Sequence, residues 1–107
     1  MVLWVAQRAT AAILAFCVVV HLATIIYAVR GGLSAVEILG RTRGSVLWGT
    51  FYVVFVMAAA LHGAIGLRTI AAEWLGFRGP AAELAMTVIG VALAMIGLRA
   101  VVAVVVS

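Results

Sequence analysis

The sequence predicts an all-α integral membrane protein of three transmembrane helices, and three observations carry that prediction. Of its 107 residues, 68% are hydrophobic and only 9% are charged, against about 45–50% apolar and about 25% charged in soluble domains. The apolar residues gather in three long runs separated by arginine and glycine. Each run reaches the length of about 20 residues that crosses a hydrocarbon core of about 30 Å at 1.5 Å per residue. A water-soluble core of this size has no room for so much apolar surface, so lipid is the solvent.

The first run spans about 9–29, opening after Gln7-Arg8 and closing at Arg30-Gly31-Gly32. It holds the single cysteine, Cys17, which reads as a small buried apolar side chain: it has no intrachain partner and no CxxC pattern surrounds it. The run is too long for a signal peptide and no small-residue cleavage site follows it. The second run, about 45–67, is bracketed by Arg41, Arg43 and Arg68. The third, about 81–106, follows Gly79-Pro80 and ends in a valine-rich stretch. Such a stretch favours strand in water, but a lone strand in lipid leaves its backbone unpaired, so helix is expected. The connections, 31–44 and 68–80, leave no space for an extramembrane domain, and 1–107 reads as a single membrane-anchor domain. Any catalysis it joins takes place in the membrane or on a partner.

The net charge of +4 comes from seven arginines and three glutamates, with no lysine. The arginines punctuate the ends of the apolar runs, where they can snorkel to lipid head groups. No basic helix or basic-aromatic surface supports nucleic-acid binding. Orientation is not decided by charge: Arg8, Arg68 and Arg78 fall on one side, and Arg30, Arg41 and Arg43, with Arg99 near them, on the other. Trp4, Trp74 and Phe77 mark one interface, Tyr27 and Trp48 the other.

His21 and His62 are the only histidines, and both fall inside apolar runs. An ionisable side chain at that depth is costly and marks a functional site by default. Two readings stand: a neutral imidazole bonded to a neighbouring helix, or a haem ligand, for which burial keeps the imidazole unprotonated. Around His62, Ala58, Ala59, Ala60, Gly63 and Gly66 let a flat macrocycle or another helix approach the backbone. Arg68, six residues on, is placed either to donate to a haem propionate or quinone head group, or to anchor the membrane edge. A small transporter would need an embedded carboxylate; the nearest is Glu83, at the start of the third run.

Depth separates the two histidines. His21 lies thirteen residues beyond Arg8, about 20 Å along its helix, and His62 six residues before Arg68, about 9 Å. If Arg8 and Arg68 mark one interface, the histidines differ in depth by about 10 Å, less any tilt. Axial ligands of one haem share a depth, so these two are expected to serve different haems, each completed by another chain. Three helices are few to enclose a haem, which points to a larger helical bundle with a second anchor subunit.

The segment His62-Gly-Ala-Ile-Gly66-Leu-Arg68, continuing to Glu73, resembles the second-helix signature of the succinate dehydrogenase/fumarate reductase cytochrome b membrane anchor, His-x3-Gly-Ile/Leu-Arg with an acidic residue five positions later. Gln7-Arg8-Ala9-Thr10-Ala11 resembles a degraded form of that family's His-Arg-Ile/Val-Ser/Thr-Gly at the start of helix one. The resemblance covers about residues 4–75. It implies a haem b-binding anchor for an iron–sulfur subunit and a flavoprotein subunit, exchanging electrons between succinate or fumarate and ubiquinone or menaquinone, with no catalysis by the chain alone. His62 matches the family's haem iron ligand and Arg68 its propionate side. Arg8 matches the helix-one arginine near quinone and propionates. Trp4 stands where some members have a quinone-contacting serine. Trp4, Gln7 and Ala11 depart from the pattern. His21 resembles the helix-one ligand of two-haem members, distal to the iron–sulfur protein. The family also implies a bacterial inner membrane with a cytoplasmic N-terminus. A haem-free structural anchor remains the alternative, and Arg99 could face the far interface or a distal propionate.

Overall fold

A computed structural model describes residues 1–106 as four helices: α1 (Val2–Arg30), α2 (Ala35–Thr42), α3 (Val46–Leu75) and α4 (Pro80–Val105). No strand occurs among the described residues. α1, α3 and α4 are each long and apolar enough to cross a membrane, which makes this a multi-pass membrane protein. They are apolar all round, with side chains such as Phe16, Val19 and Ile96 two-thirds exposed on their outer faces, as lipid-facing helices require. α3 is the central helix, packing against both α1 and α4.

α1 and α3 run past the hydropathic cores at 9–29 and 45–67, because a change from apolar to polar residues does not itself break a helix, whereas α4 agrees with the expected 81–106 to one residue at each end. α1 is already helical at Val2, and α3 continues through Arg68 and Glu73 to Leu75. What stops α3 is Gly76, in the left-handed region at φ 66°, where the Phe77 N–H returns to the Ala71 carbonyl at 3.0 Å. Pro80, with no N–H to lose, opens α4.

The 31–44 segment, expected as a plain connection, contains α2. Ser34 caps it: its hydroxyl accepts from Glu37 N–H at 3.2 Å, and the Glu37 carboxylate accepts from Ser34 N–H at 3.2 Å. That backbone bond holds the Glu37 carboxyl below its usual range. At the C-terminal end of α2, Thr42 donates to the Val104 carbonyl at 2.6 Å, and just beyond it the Gly44 N–H donates to the Val105 carbonyl at 2.6 Å. These bonds satisfy carbonyls that the C-terminus of α4 cannot pair internally.

Small residues form the α3–α4 seam. A Cβ on Gly90 would lie 3.1 Å from that of Ala64, and one on Gly97 would collide with Val56. Without a hydrophobic drive in lipid, this close approach is what holds helices together. On the α1 side Cys17 is buried at 2% exposure, consistent with a packing role.

Candidate functional site

The register between α1 and α3 determines what surrounds each histidine. Gln7 lies beside Gly66, Thr10 meets His62, and His21 meets Tyr52. From Gln7 to His21 α1 advances by fourteen residues while α3 retreats by fourteen, from Gly66 to Tyr52, as antiparallel packing requires.

His62 is half-buried on α3, and its Nδ1 stands 3.2 Å from Thr10 Oγ1. Thr10 is buried, and its hydroxyl donates to the Ala6 carbonyl at 2.8 Å, shared with the Gln7 carbonyl at 3.1 Å. One turn further out, the Gln7 carboxamide packs against Gly66, where an added Cβ would lie 3.3 Å from its Nε2. Its Oε1 is buried without a hydrogen-bond partner. Neither Thr10 nor Gln7 was singled out by the sequence as facing His62. Only the helix register reveals it.

His21 occupies a second, aromatic environment. Its Nδ1 is 3.3 Å from the Tyr52 hydroxyl. The rings of Tyr52 and Phe55 meet it edge-on, at 5.7 and 5.5 Å between centroids. Trp48 stacks on Tyr52 at 5.8 Å. A cavity of about 630 Å³ opens beside Tyr52 and Trp48 under α2, with Thr24, Tyr27 and Arg41 in its wall. Arg41 donates to the Tyr27 hydroxyl at 3.3 Å, which raises the guanidinium pKa above its ordinary value.

Ten positions along α3 separate the contact of His21 (Tyr52) from His62, so the histidines differ in depth by about 15 Å. The arginine-based arithmetic gives about 10 Å because it sets Arg8 and Arg68 level. The contact register places Arg68 about three residues, or about 4.5 Å, further out.

The arginines do not converge on His62. Arg8 sits two positions before Thr10, about 160° around α1, and is exposed, with its guanidinium 4.8 Å from the Trp4 ring centroid. Trp4 itself is 60% exposed. This pair faces outward. Arg68, six positions past His62 and about 120° around α3, is joined to Glu83 of α4, Nε to Oε1 at 2.6 Å and Nη2 to the same oxygen at 2.5 Å. It is the only ion pair among the described residues. The pair stands in the wall of an apolar groove of about 710 Å³ that runs between α1 and α4 past Thr10, Ala58, Ile65 and Gly90. Arg99 lies exposed on α4, six residues before the helix ends.

No cluster of three metal-ligating side chains exists among the described residues. An imidazole with one nitrogen engaged and the other free fits an axial haem ligand.

A family model described as the succinate dehydrogenase/fumarate reductase transmembrane subunit matches residues 1–106. No curated protein and no solved structure matches the chain. A match along 1–106, on three membrane-spanning helices, establishes that the chain belongs to the succinate dehydrogenase/fumarate reductase transmembrane subunit family.

Proposed function

We propose that this chain is the haem b-binding membrane anchor of a succinate:quinone oxidoreductase. In this reading His62 supplies one axial ligand and a second hydrophobic subunit supplies the other. The observation that carries it is His62 itself: an imidazole in the middle of an apolar helix, tethered through Nδ1 and with Nε2 left for a ligand. Haem b, when bound, supplies a one-electron carrier whose potential is set by ligation, burial and hydrogen bonding. The chain's own residues hold that group at a fixed depth and keep water from it. His21, about 15 Å away along the membrane normal, would ligate a second haem near the opposite face, which suits electron transfer across the membrane.

The quinone, ubiquinone or menaquinone, would sit on the outer face of α1, where Arg8 and Trp4 are presented together. The site is thereby completed by the second anchor subunit and the iron–sulfur subunit, which exchanges electrons with the flavoprotein subunit. Arg68 would reach a propionate with Nη1, the nitrogen that Glu83 leaves free. The family resemblance favours a bacterial inner membrane with Arg8 and the N-terminus on the cytoplasmic side.

One observation favours a haem-free anchor instead: both histidines already hold hydrogen bonds between α1 and α3. The reduced-minus-oxidised spectrum of the purified complex separates the two readings. Haem ligation predicts b-type bands that diminish in His62→Ala. Bands absent from the parent, or undiminished in the variant, would eliminate His62 as a ligand.

A further inference from the structure

The Thr10–His62 contact has a direction, and that direction selects a tautomer. A threonine hydroxyl has one proton to give and lone pairs to receive. In Thr10 the proton is directed to the Ala6 carbonyl, 2.8 Å away and four residues back, with the Gln7 carbonyl sharing it at 3.1 Å. A β-branched side chain in a helix has few rotamers, and bonding back to the i−4 or i−3 carbonyl fixes one of them. Thr10 is also 6% exposed, inside a lipid-embedded helix pair where water does not compete. What it presents to His62 Nδ1 at 3.2 Å is therefore a lone pair.

A neutral imidazole carries one N–H. With an acceptor at Nδ1 that proton resides on Nδ1, and Nε2 keeps its lone pair. We infer that Thr10 is a positioning residue for the proposed haem site: its hydroxyl accepts from His62 Nδ1–H, holds the ring in the tautomer and orientation that make Nε2 the metal ligand, and raises the ligand's basicity. The inference rests on the haem-binding reading above, but the device is present before any metal binds. It uses only Thr10, the α1 backbone and His62.

The contrast with His21 shows that the arrangement is particular to one site. Tyr52 is the partner of His21 Nδ1, and among the described residues its hydroxyl has no other hydrogen-bond partner. A phenol in that position can donate or accept, so it imposes neither tautomer. Only His62 has an acceptor whose own proton is already committed.

Outer-shell partners of ligating histidines change metal affinity by about 10–100-fold when removed. Thr10→Val keeps the shape and removes the acceptor; Thr10→Ser restores it. In the purified complex, Thr10→Val is expected to raise the midpoint potential of the haem that His62→Ala eliminates. A less basic ligand stabilises the ferric state less. The variant should also shift that haem's low-spin ferric resonance and lower its retention by about 10–100-fold, while Thr10→Ser behaves as the parent. Nitrogen-15 spectra of histidine-labelled, reduced complex should show His62 protonated at Nδ1 in the parent and in Thr10→Ser. In Thr10→Val the Nδ1 proton remains, because Nε2 is bound to iron, but its resonance should shift as the hydrogen bond to position 10 is lost. A Thr10→Val complex with parental potential, ferric resonance and Nδ1–H shift overturns the inference even if His62 proves to be the ligand. A parent complex without haem refutes the haem reading instead, and the nitrogen-15 tautomer then decides the role of Thr10 alone.

Discussion

Substituting Gly97 by alanine tests the α3–α4 seam at its tightest point. An added Cβ would overlap a Val56 methyl and lie 3.0 Å from the second methyl and 3.2 Å from the Val56 Cβ. Val56 is β-branched and sits mid-helix, so it has essentially one χ1 rotamer and cannot swing clear. The strain must be relieved by separating the helices, which forfeits contacts at neighbouring small residues as well. Overpacking of this kind costs about 1–3 kcal/mol, and the direct overlap puts Gly97→Ala at the upper end, near 3 kcal/mol. Gly90→Ala, whose Cβ would stand 3.1 Å from Ala64 Cβ, should cost less, and Gly63→Ala, 3.6 Å from the movable end of Leu93, nearly nothing. Thermal or detergent-driven unfolding of the purified complex measures the series. Removing the Val56 methyls should rescue the first variant, so the Gly97→Ala/Val56→Ala pair should show a favourable coupling of at least about 1 kcal/mol. An unperturbed Gly97→Ala, or a pair whose effects simply add, would refute this packing.

Three smaller perturbations probe the ends of the bundle. Thr42→Val removes the hydroxyl that caps the Val104 carbonyl and should cost about 1 kcal/mol, visible as faster amide exchange in the last turn of α4. Ser34→Ala abolishes the N-cap of α2, at about 1 kcal/mol, seen as faster exchange at the Glu37 amide. In the parent, Glu37 has a folded pKa below its unfolded one. Its contribution is therefore complete above the ordinary carboxylate pKa and lost as pH falls through the lowered folded value; protection of α2 that strengthens on acidification would contradict this. Glu83→Gln frees Arg68 from its only carboxylate partner. Since both side chains are substantially exposed, thermal stability should stay within experimental scatter, and a large loss would mean that the pair is shielded from solvent in the assembled complex.

The sequence revealed the spans because lipid demands uninterrupted apolar length, and composition alone records that. It also revealed that His21 and His62 lie at different depths, since rise per residue converts position into depth. What it concealed are the rotations. A helix that is apolar all round does not announce which face meets its neighbour, so neither Thr10 opposite His62 nor the outward aim of Arg8 and Trp4 could be read from hydropathy. The partner of Arg68 was more accessible: Glu83 stands just across the short α3–α4 turn, at the first turn of the next helix. α2 had a readable signal as well, the Ser34-x-x-Glu37 capping box, which is easily passed over between two long apolar runs. The depth estimate fell short by about 5 Å because it took two arginines to be level, and long side chains reach one interface from different backbone heights.

Haem stoichiometry of the purified complex tests the central claim most directly. If His62 and His21 each ligate a haem at separate depths, the parent holds two b-type haems per copy of this chain, and His62→Ala and His21→Ala each remove a different one. A complex with a single haem that survives His21→Ala would reduce His21 to a helix-packing residue. A complex with none would contradict the haem-anchor account altogether.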